Sequence, residues 1–500
     1  MTLKKTRLLF IISIILFCGL IFSARFFMLL KSSEPAGLDG YYYALQAKSM
    51  AERGSFENPD FKIGYYLCAL FTSFTGDAVL GCKIWASLAG MLLSLSVFFF
   101  LYNWGCRKEL AFAAFLLSGA LHSCALLSVN YINNLTGLFF LFFYGSLLIR
   151  LTDSEFFSKS LAKWKKIFLI ILTLLLFFCC VFSHLISAVL ALAFTAAVLL
   201  KKLPVKFLGI VLGIVLIFAA VIFVTQKERF SSVFAFGPVL PLFSKTMRRG
   251  AGLVIVIEIS IFFILCWIYE IYLLVKLFRK KSYNPLLLLI PVFFFPFWNL
   301  SLLDMGYRIL LSAVPFGIIP VFIAADKILK VEKKTLYFIS GILSVIFTAG
   351  ICFSPAAYNE KKDPPYAYYR QIIEDINLED DTLLIAHMPL NHVYTYYKNL
   401  RDCLNYLPEY EIESDKVWRL TYGVNINSFK NVLDDFDQRR IVKLDEQYCL
   451  LRERDWQDYL SAEDEMIVET YRNYFNPYTQ RPSFVRAKNL LVRLFEFFSK

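Results

Sequence analysis

The chain is poor in charge, glycine and proline. Only 18% of its 500 residues are charged, and it contains 22 Gly and 17 Pro. A soluble chain of this length would form about three domains, each with a charged surface, and this chain has too little charge for that. High apolar content with little Gly and Pro also excludes the collagen-like and disordered classes. The remaining class is a polytopic membrane protein, in keeping with 58% hydrophobic residues.

The motifs of several other functions are also missing. No Gly-rich phosphate loop precedes a predicted helix, no Cys or His cluster has zinc-ligand spacing, and no internal repeat suggests a transporter built from two related halves. Of the 11 Cys, nine lie in or near apolar segments, where they act as small packing residues. The other two, Cys403 and Cys449, would be able to form one disulfide in an oxidising compartment, and the sequence does not decide whether they do.

Charge divides the chain into two parts. Residues 1–354 hold 33 Lys and Arg against 15 Asp and Glu, a balance of +18, whereas residues 355–500 hold 19 against 25, a balance of −6. The basic residues of the first part lie in loops between apolar spans, where they set orientation, so they do not indicate nucleic-acid binding. We therefore predict a transmembrane domain over residues 1–353 and a soluble domain over residues 354–500.

The soluble domain has an α/β pattern. Residues 382–386 and 441–444 are strand-like, and residues 366–376 and 427–436 have helical spacing. Eleven spans precede it, since about 20 apolar residues suffice to cross a bilayer. We predict them at 8–30, 79–101, 110–127, 135–149, 167–183, 185–200, 207–224, 251–275, 285–299, 309–325 and 335–353.

Basic residues fix the expected orientation. Lys4, Lys5 and Arg7 precede the first span, so the amino terminus is predicted to be cytoplasmic. A cleaved signal peptide is the alternative interpretation of that segment. With eleven spans the C-terminal domain is extracytoplasmic, and the expected location is the inner (plasma) membrane. One predicted external loop, residues 225–250, breaks the positive-inside rule; it carries Lys227, Arg229, Lys245, Arg248 and Arg249.

The first external loop, residues 31–78, concentrates polar groups near the outer membrane face. Asp39 follows the first span and opens a helical pattern that contains Tyr41 and Tyr42. One interpretation is an ordinary Asp helix cap beside interfacial Tyr residues, and the other is a functional carboxylate held at the bilayer surface.

The pattern of this loop resembles a known family. Asp39-Gly-Tyr41-Tyr42, Glu52-Arg53-Gly54, the amphipathic stretch with Lys62, Gly76-Asp77 and the span with Ser87-Leu-Ala-Gly90 are its elements. They resemble polyprenyl-phosphate-dependent glycosyltransferases of the GT-C fold, akin to protein O-mannosyltransferases and the lipid A aminoarabinose transferase. The resemblance implies a GT-C-like helical membrane fold with a C-terminal extracytoplasmic domain. It also implies that Asp39 is the essential carboxylate of the first loop.

Further residues take roles through the same resemblance. His184, at the tip of the hairpin predicted at 167–200, corresponds to an outer-turn His, although a lone His there is also typical of a packed residue. Arg308 is either a phosphate ligand, through its fork of donors, or a snorkelling Arg paired with Asp304. Lys245, Arg248 and Arg249 would help to hold phosphate, or else contact lipid headgroups. Tyr41, Tyr42, His184 and Lys62 are the expected substrate contacts.

The expected reaction is transfer of a sugar from a polyprenyl-phosphate donor to an extracytoplasmic lipid, glycan or protein. Inversion at the anomeric carbon is part of this hypothesis. Asp39 would act as general base and the cations would stabilise the departing phosphate. No cofactor is required by the pattern. A divalent metal stays open, with Glu34, Asp39, Glu57, Asp60 and Asp304 as candidate ligands. The competing classes are a transporter or flippase of lipid-linked sugars and a non-catalytic envelope assembly protein.

Overall fold

The structure is a computed structural model, and it describes most of the first 200 residues. Two compact units divide the chain, Met1–Glu360 and Lys361–Lys500. In the first unit the described residues are 3–37, 39–58, 60–152, 163–200, 252–280 and 303–328, with isolated residues at 284 and between 332 and 345. In the second unit they are 366–374, 376, 378, 382–386, 390–398, 403–404, 417–422, 442–443 and 448–452.

Most of the described residues of the first unit lie in helices. Their bounds are α1 Leu3–Leu29, α2 Gly40–Arg53, α3 Ile63–Thr75, α4 Ala78–Asn103, α5 Lys108–Ala120, α6 His122–Asn130, α7 Ile132–Thr152, α8 Lys163–Ser183, α9 Leu185–Leu200, α10 Gly252–Lys280 and α11 Leu303–Lys327. By length and composition α1, α4, α7, α8 and α10 are able to cross a membrane, and the bent pair α5–α6 makes a sixth span if counted as one. The chain is thus a multi-pass helical membrane protein.

The count of eleven spans is not established by these helices. The spans predicted at 207–224 and 285–299 lie outside the described residues. The one predicted at 110–127 is not a single straight helix. It consists of α5 and α6, bent by 52° where Leu121 takes an extended conformation with ψ 134°. The first loop, predicted with one helical pattern and one amphipathic stretch, contains the helices α2 and α3.

α4 lies at the centre of the described helices. It packs against α1, α2, α3, α5, α6 and α7. Its buried small residues, including Ala86, Ala89 and Gly90, allow this close approach from several sides. Asp77 fixes its start, because the carboxylate accepts hydrogen bonds from the N–H groups of Val79 at 2.8 Å and Leu80 at 3.1 Å.

The predicted hairpin agrees with the packing of α8 and α9 against α7. The Tyr144 ring lies 5.6 Å from the Phe177 ring of α8, and its hydroxyl bonds the hydroxyl of Thr195 in α9. Phe177 and Thr195 lie on opposite sides of His184 in sequence. Since both reach one side chain, the two helices run back along each other from the junction at His184.

The second unit contains a mixed five-stranded sheet. Its strands are β1 Leu383–Ala386, β2 Cys403–Leu404, β3 Val417–Tyr422, β4 Val442–Lys443 and β5 Tyr448–Arg452, in the order β2-β1-β3-β5-β4. β1 pairs in parallel with β2 and β3, whereas β5 pairs antiparallel with β3 and β4. Helices α12 Tyr366–Glu374 and α13 Leu390–Lys398 belong to the same unit. The helix predicted at 427–436 lies outside the described residues.

The sheet order rules out the disulfide that the sequence left open. Cys403 pairs with Leu384 in β1, whereas Cys449 pairs with Thr421 in β3. β1 and β3 both lie between the two cysteine-bearing strands. Three strand spacings separate the cysteines by roughly 14 Å, about twice the Cα separation that a disulfide tolerates.

Candidate functional site

The first loop holds four of the predicted site residues, Asp39, Tyr41, Tyr42 and Lys62, at the starts of two helices or within them. α2 begins after Asp39 and ends at Gly54, whose positive φ of 69° closes the helix. α3 begins after Lys62 and ends at Gly76, with φ 71°. Both helices pack against each other and against α4, so the loop is a folded layer at one end of the spans.

Asp39 occupies the cap position of α2 but does not cap it with its side chain. Its backbone carbonyl accepts from the Tyr43 N–H at 3.0 Å, and within the described part of α2 the carboxylate makes no capping hydrogen bond. Asp77, by contrast, caps α4 through its carboxylate. The helix-cap interpretation of Asp39 therefore accounts for its position in the chain but not for its side chain. Asp39 remains partly exposed.

The segment before Asp39 is tied to its surroundings from two sides. The Tyr41 hydroxyl donates to the Glu34 carboxylate, and both side chains are buried. Lys83 of α4 reaches out to the same segment and donates to the carbonyls of Ser32 at 2.6 Å and Ser33 at 3.4 Å. Sequence reasoning missed Lys83, although a single cation near the start of an otherwise apolar span is a recognisable signal.

A second cluster joins α2 to α3 through Asp60. One oxygen of the Asp60 carboxylate, Oδ2, accepts from Lys62 Nζ at 2.6 Å, from the Tyr65 hydroxyl at 2.9 Å and from the Tyr42 hydroxyl at 3.3 Å. Gln46 donates to the Tyr42 hydroxyl at 3.1 Å and holds the backbone of residue 58. Three predicted site residues, Tyr42, Asp60 and Lys62, thus come together.

The phenols of this cluster are held in their protonated form. Burial, with the Asp60 carboxylate adding to it, raises the pKa of Tyr42. Burial also raises the pKa of Tyr65, and the neighbouring phenols and the Asp60 carboxylate raise it further. Two neutral hydroxyls and one ammonium therefore converge on one carboxylate. The side chains of Asp60 and Lys62 are 34% and 31% exposed, so part of the charged pair lies at the protein surface.

The remaining predicted residues are only partly described. His184 is half-buried at the junction of α8 and α9, where its carbonyl accepts from the Ser187 hydroxyl at 2.7 Å. Arg308 lies in α11, but its side chain lies outside the described residues, as do Lys245, Arg248 and Arg249. Whether these residues face the first loop stays a prediction.

The candidate metal ligands do not form a ligand set in the described part of the chain. Glu34 bonds Tyr41, and Asp60 bonds Lys62 and two phenols. Among the residues that the structure describes, no group of three or more His, Cys, Asp or Glu side chains is arranged to hold a metal ion. The side chain of Asp304 lies outside them. Glu34 and Asp60 are thus engaged with phenols and an ammonium group, and Glu57 is paired with the guanidinium of Arg53.

Comparison with solved structures identifies the fold. ArnT from Cupriavidus metallidurans in the apo state matches with a TM-score of 0.55 at 11% identity, over 88% of this chain and 97% of that chain. ArnT from the same organism bound to undecaprenyl phosphate matches with a TM-score of 0.52 at 12% identity, with the same coverage. The oligosaccharyltransferase of Archaeoglobus fulgidus has a TM-score of 0.48 at 11% identity, over 78% of this chain and 62% of that chain.

No protein-family model and no curated protein sequence matches the chain. At 11–12% identity, the likeness to ArnT shows a shared fold. ArnT has the GT-C fold, so the resemblance predicted from the first loop is confirmed at the level of the fold.

Proposed function

We propose that the protein is a membrane glycosyltransferase that transfers a sugar from a polyprenyl-phosphate donor to an acceptor outside the cytoplasm. The observation that carries this proposal is the first loop, where Asp39 and the Asp60–Lys62 pair are held at the end of spans that share the fold of ArnT. One ArnT structure contains undecaprenyl phosphate, which supports a lipid-linked phosphate as the donor class.

Asp39 is the proposed general base. The amino-terminal end of α2 carries a positive partial charge, which favours a carboxylate at this position. The carboxylate does not cap α2, so a capping role does not account for an acidic side chain at this position. In the reaction it takes the proton from an acceptor hydroxyl as the oxygen attacks the anomeric carbon. The bond from that carbon to the phosphate oxygen breaks on the opposite face, inverting the configuration and releasing polyprenyl phosphate.

Lys62 is the proposed cation for the donor phosphate in the described part of the loop. Its ammonium group has three N–H donors, and Asp60 receives one of them. The hydroxyls of Tyr42 and Tyr65 hold Asp60, so the carboxylate keeps Lys62 in place. In this proposal the remaining N–H groups of Lys62 bind the donor phosphate. Tyr41 contributes indirectly, since it anchors Glu34 in the segment that leads to Asp39.

Four further cations complete the proposed phosphate site, and His184 completes the proposed substrate site. Arg308 supplies a bidentate donor to phosphate, and Lys245, Arg248 and Arg249 add positive charge from the loop that departs from the positive-inside rule. His184 lies at an interhelical turn that is expected to face the same side as the first loop. We propose the inner membrane as the location, with a cytoplasmic amino terminus and residues 354–500 forming an extracytoplasmic α/β domain.

A flippase for lipid-linked sugars is the second candidate function. It is favoured by buried charges within the spans, namely Arg25, Glu258 and Glu270. A flippase moves its lipid without cleaving it, whereas a transferase breaks the glycosyl–phosphate bond. The chemical fate of the donor therefore distinguishes the two.

The test uses the full-length protein in liposomes that contain polyprenyl-phosphate sugar, labelled separately in the sugar and in the lipid. We expect polyprenyl phosphate to appear and the sugar label to separate from the polyprenyl label once an acceptor-containing envelope extract is added. Lys62→Gln should raise the donor KM, with Lys48→Gln on the adjoining helix as the matched control. Transbilayer movement of intact donor without any cleavage would favour the flippase and contradict the transferase.

A further inference from the structure

A buried polar network surrounds the break between α5 and α6. Arg25 of α1 is fully buried, with 0% of its surface exposed, and Glu258 of α10 is 3% exposed. Neither residue belongs to the site in the first loop. Burying a charge inside a membrane domain is costly, so two such residues at one place require a reason.

The break leaves backbone groups without their helical partners. In a continuous helix the N–H of Ser123 would donate to the carbonyl of Gly119, four residues earlier, but the extended Leu121 prevents this. Inside a bilayer, backbone groups released in this way must find other partners. The Glu258 carboxylate accepts from the N–H of Ser123 at 2.9 Å, and Arg25 Nη2 donates to the carbonyl of Gly119 at 3.2 Å.

Further contacts bind both charges to α6. Glu258 also accepts from the N–H of His122 at 2.8 Å and lies 3.2 Å from its ring nitrogen Nδ1. Arg25 Nη1 donates to the carbonyl of Cys124 at 2.8 Å and to the hydroxyl of Ser128 at 2.9 Å. The anion faces the positive end of the α6 dipole, and the cation lies where α5 presents its negative end.

α4 leaves room for this arrangement. A Cβ atom at Gly90 would lie only 2.7 Å from Cδ and 2.8 Å from Nε of Arg25. The small residue therefore allows the guanidinium to pass between α4 and the bent pair. Three spans, α1, α4 and α10, thus act together on the short helix α6.

α6 in turn supports the segment that carries Asp39. A Cβ atom at Gly37 would lie 2.3 Å from the carbonyl oxygen of Val129 and 2.6 Å from Oδ1 of Asn130. Pro35 and Ala36 on the loop line a small cavity together with Ser128 and Val129 of α6. Gly37, two residues before Asp39, therefore lies directly against the carboxyl-terminal half of α6.

We infer that Arg25 and Glu258 are positioning residues, which fix α6 at the helix break and, through α6, the place of Asp39. For the catalytic consequence this inference rests on the proposed function. The Asp60–Lys62 cluster is built from α2, α3 and the segment between them rather than from α6. Loss of Glu258 or Arg25 should therefore lower kcat and leave the donor KM nearly unchanged.

The first measurement follows the loop without using activity. In the purified full chain carrying Ala36→Cys, the rate of maleimide labelling at position 36 reports how firmly the loop rests on α6. Glu258→Gln and Arg25→Lys should each raise this rate by about tenfold, because they weaken charged hydrogen bonds. Glu270→Gln is the matched control, since Glu270 is also 3% exposed in α10 and accepts no hydrogen bond from a described residue.

The second measurement is the kinetics of transfer. Glu258→Gln should lower kcat by about tenfold or more while the donor KM changes by less than about twofold. Arg25→Lys, which keeps the charge, should retain more activity than Arg25→Met. Labelling rates equal to that of the Glu270→Gln control would overturn the inference. So would a lower unfolding temperature with unchanged kcat, which is the mark of a purely structural role.

The labelling result separates this inference from the proposed function. If Asp39→Asn turned over normally while Glu258→Gln still raised labelling, the proposed base would be refuted and the positioning of the loop by α6 would stand. If labelling rose but kcat stayed at the wild-type value, the catalytic part of the inference would be refuted.

Discussion

Substitution of Gly37 by Ala tests whether the contact between the first loop and α6 controls Asp39. The added methyl group would lie 2.3 Å from the Val129 carbonyl oxygen. Carbon and oxygen atoms rarely approach within about 3.0 Å, so the loop or α6 must move by roughly 0.7 Å. Displacement of a catalytic group by about 1 Å costs on the order of a hundredfold in rate, so we expect kcat to fall by about tenfold to a hundredfold.

Gly54 supplies the matched control for this substitution. Its φ of 69° is close to the 78° of Gly37, but a Cβ atom at Gly54 would meet nothing within 4 Å. Both Ala variants carry the same backbone strain, about 1–2 kcal/mol. Only Gly37→Ala adds the collision, which should cost about 1–3 kcal/mol more in unfolding free energy.

The assay compares the two variants by thermal unfolding in detergent and by initial rates of sugar transfer at saturating donor. Gly37→Ala should unfold at the lower temperature and show the lower kcat. Gly54→Ala should lose stability modestly and keep its kcat. Equal kcat values for the two variants would refute the reasoning that links Gly37, α6 and Asp39.

Three further predictions concern single groups. Tyr65→Phe removes the hydroxyl that donates to Asp60 at 2.9 Å while keeping the ring, so thermal unfolding should show a loss of about 1 kcal/mol, and an unchanged unfolding temperature would contradict the bond. Burial lowers the pKa of His392 to about 4. The pKa of His is about 6.5 in the unfolded chain, so as the pH falls the unfolded chain binds a proton before the folded chain does. The free energy of unfolding around α13 should therefore be greatest above about pH 6.5 and fall by up to about 3 kcal/mol towards pH 4. Proteolysis within residues 361–500 of the full chain should rise over this range, less steeply in His392→Gln, and a flat wild-type profile would count against the burial of His392. Finally, Cys403 and Cys449 should both appear as free thiols by mass spectrometry without reduction, whereas a linked peptide would disprove the sheet order.

The spans that the sequence predicted well are those whose signal is local. α4, α7 and α8 each contain an unbroken apolar run, and a helix of this length and composition crosses a bilayer regardless of its neighbours. Their observed ends, Ala78–Asn103 for α4 as an example, differ from the predicted bounds by a few residues because caps and loops decide the last turn.

The break at Leu121 had no such local signal. No Pro lies between Ser118 and Cys124, and the groups that satisfy the break come from positions 94 and 135 residues away in sequence. Arg25 and Glu258 were visible as charges within apolar runs. The sequence did not show that both charges bind at the break before α6, because this depends on how α1, α6 and α10 pack.

The first loop shows the same limit at the level of the site. Tyr42 and Lys62 were identified through the resemblance of the loop to GT-C glycosyltransferases, and Asp60 was identified as a candidate metal ligand. Their convergence on one carboxylate oxygen depends on the turn between α2 and α3, and so does the inclusion of Gln46 and Tyr65. In the second unit the strands predicted at 382–386 and 441–444 correspond to β1 and β4. Their pairing was not predictable, since β3 and β5 pair across sequence that carries no register signal.

The most direct test of the central claim is the transfer rate of Asp39→Asn beside Asp77→Asn, measured with labelled polyprenyl-phosphate sugar. Both substitutions replace an Asp at a helix start, and Asn caps helices as well as Asp does. Asp77 caps α4 with its side chain, so its Asn variant should keep kcat within about twofold. Asp39→Asn should bind the donor and lose at least about a hundredfold in kcat. Full turnover by Asp39→Asn would contradict the assignment of the catalytic base, and with it the mechanism proposed for this protein.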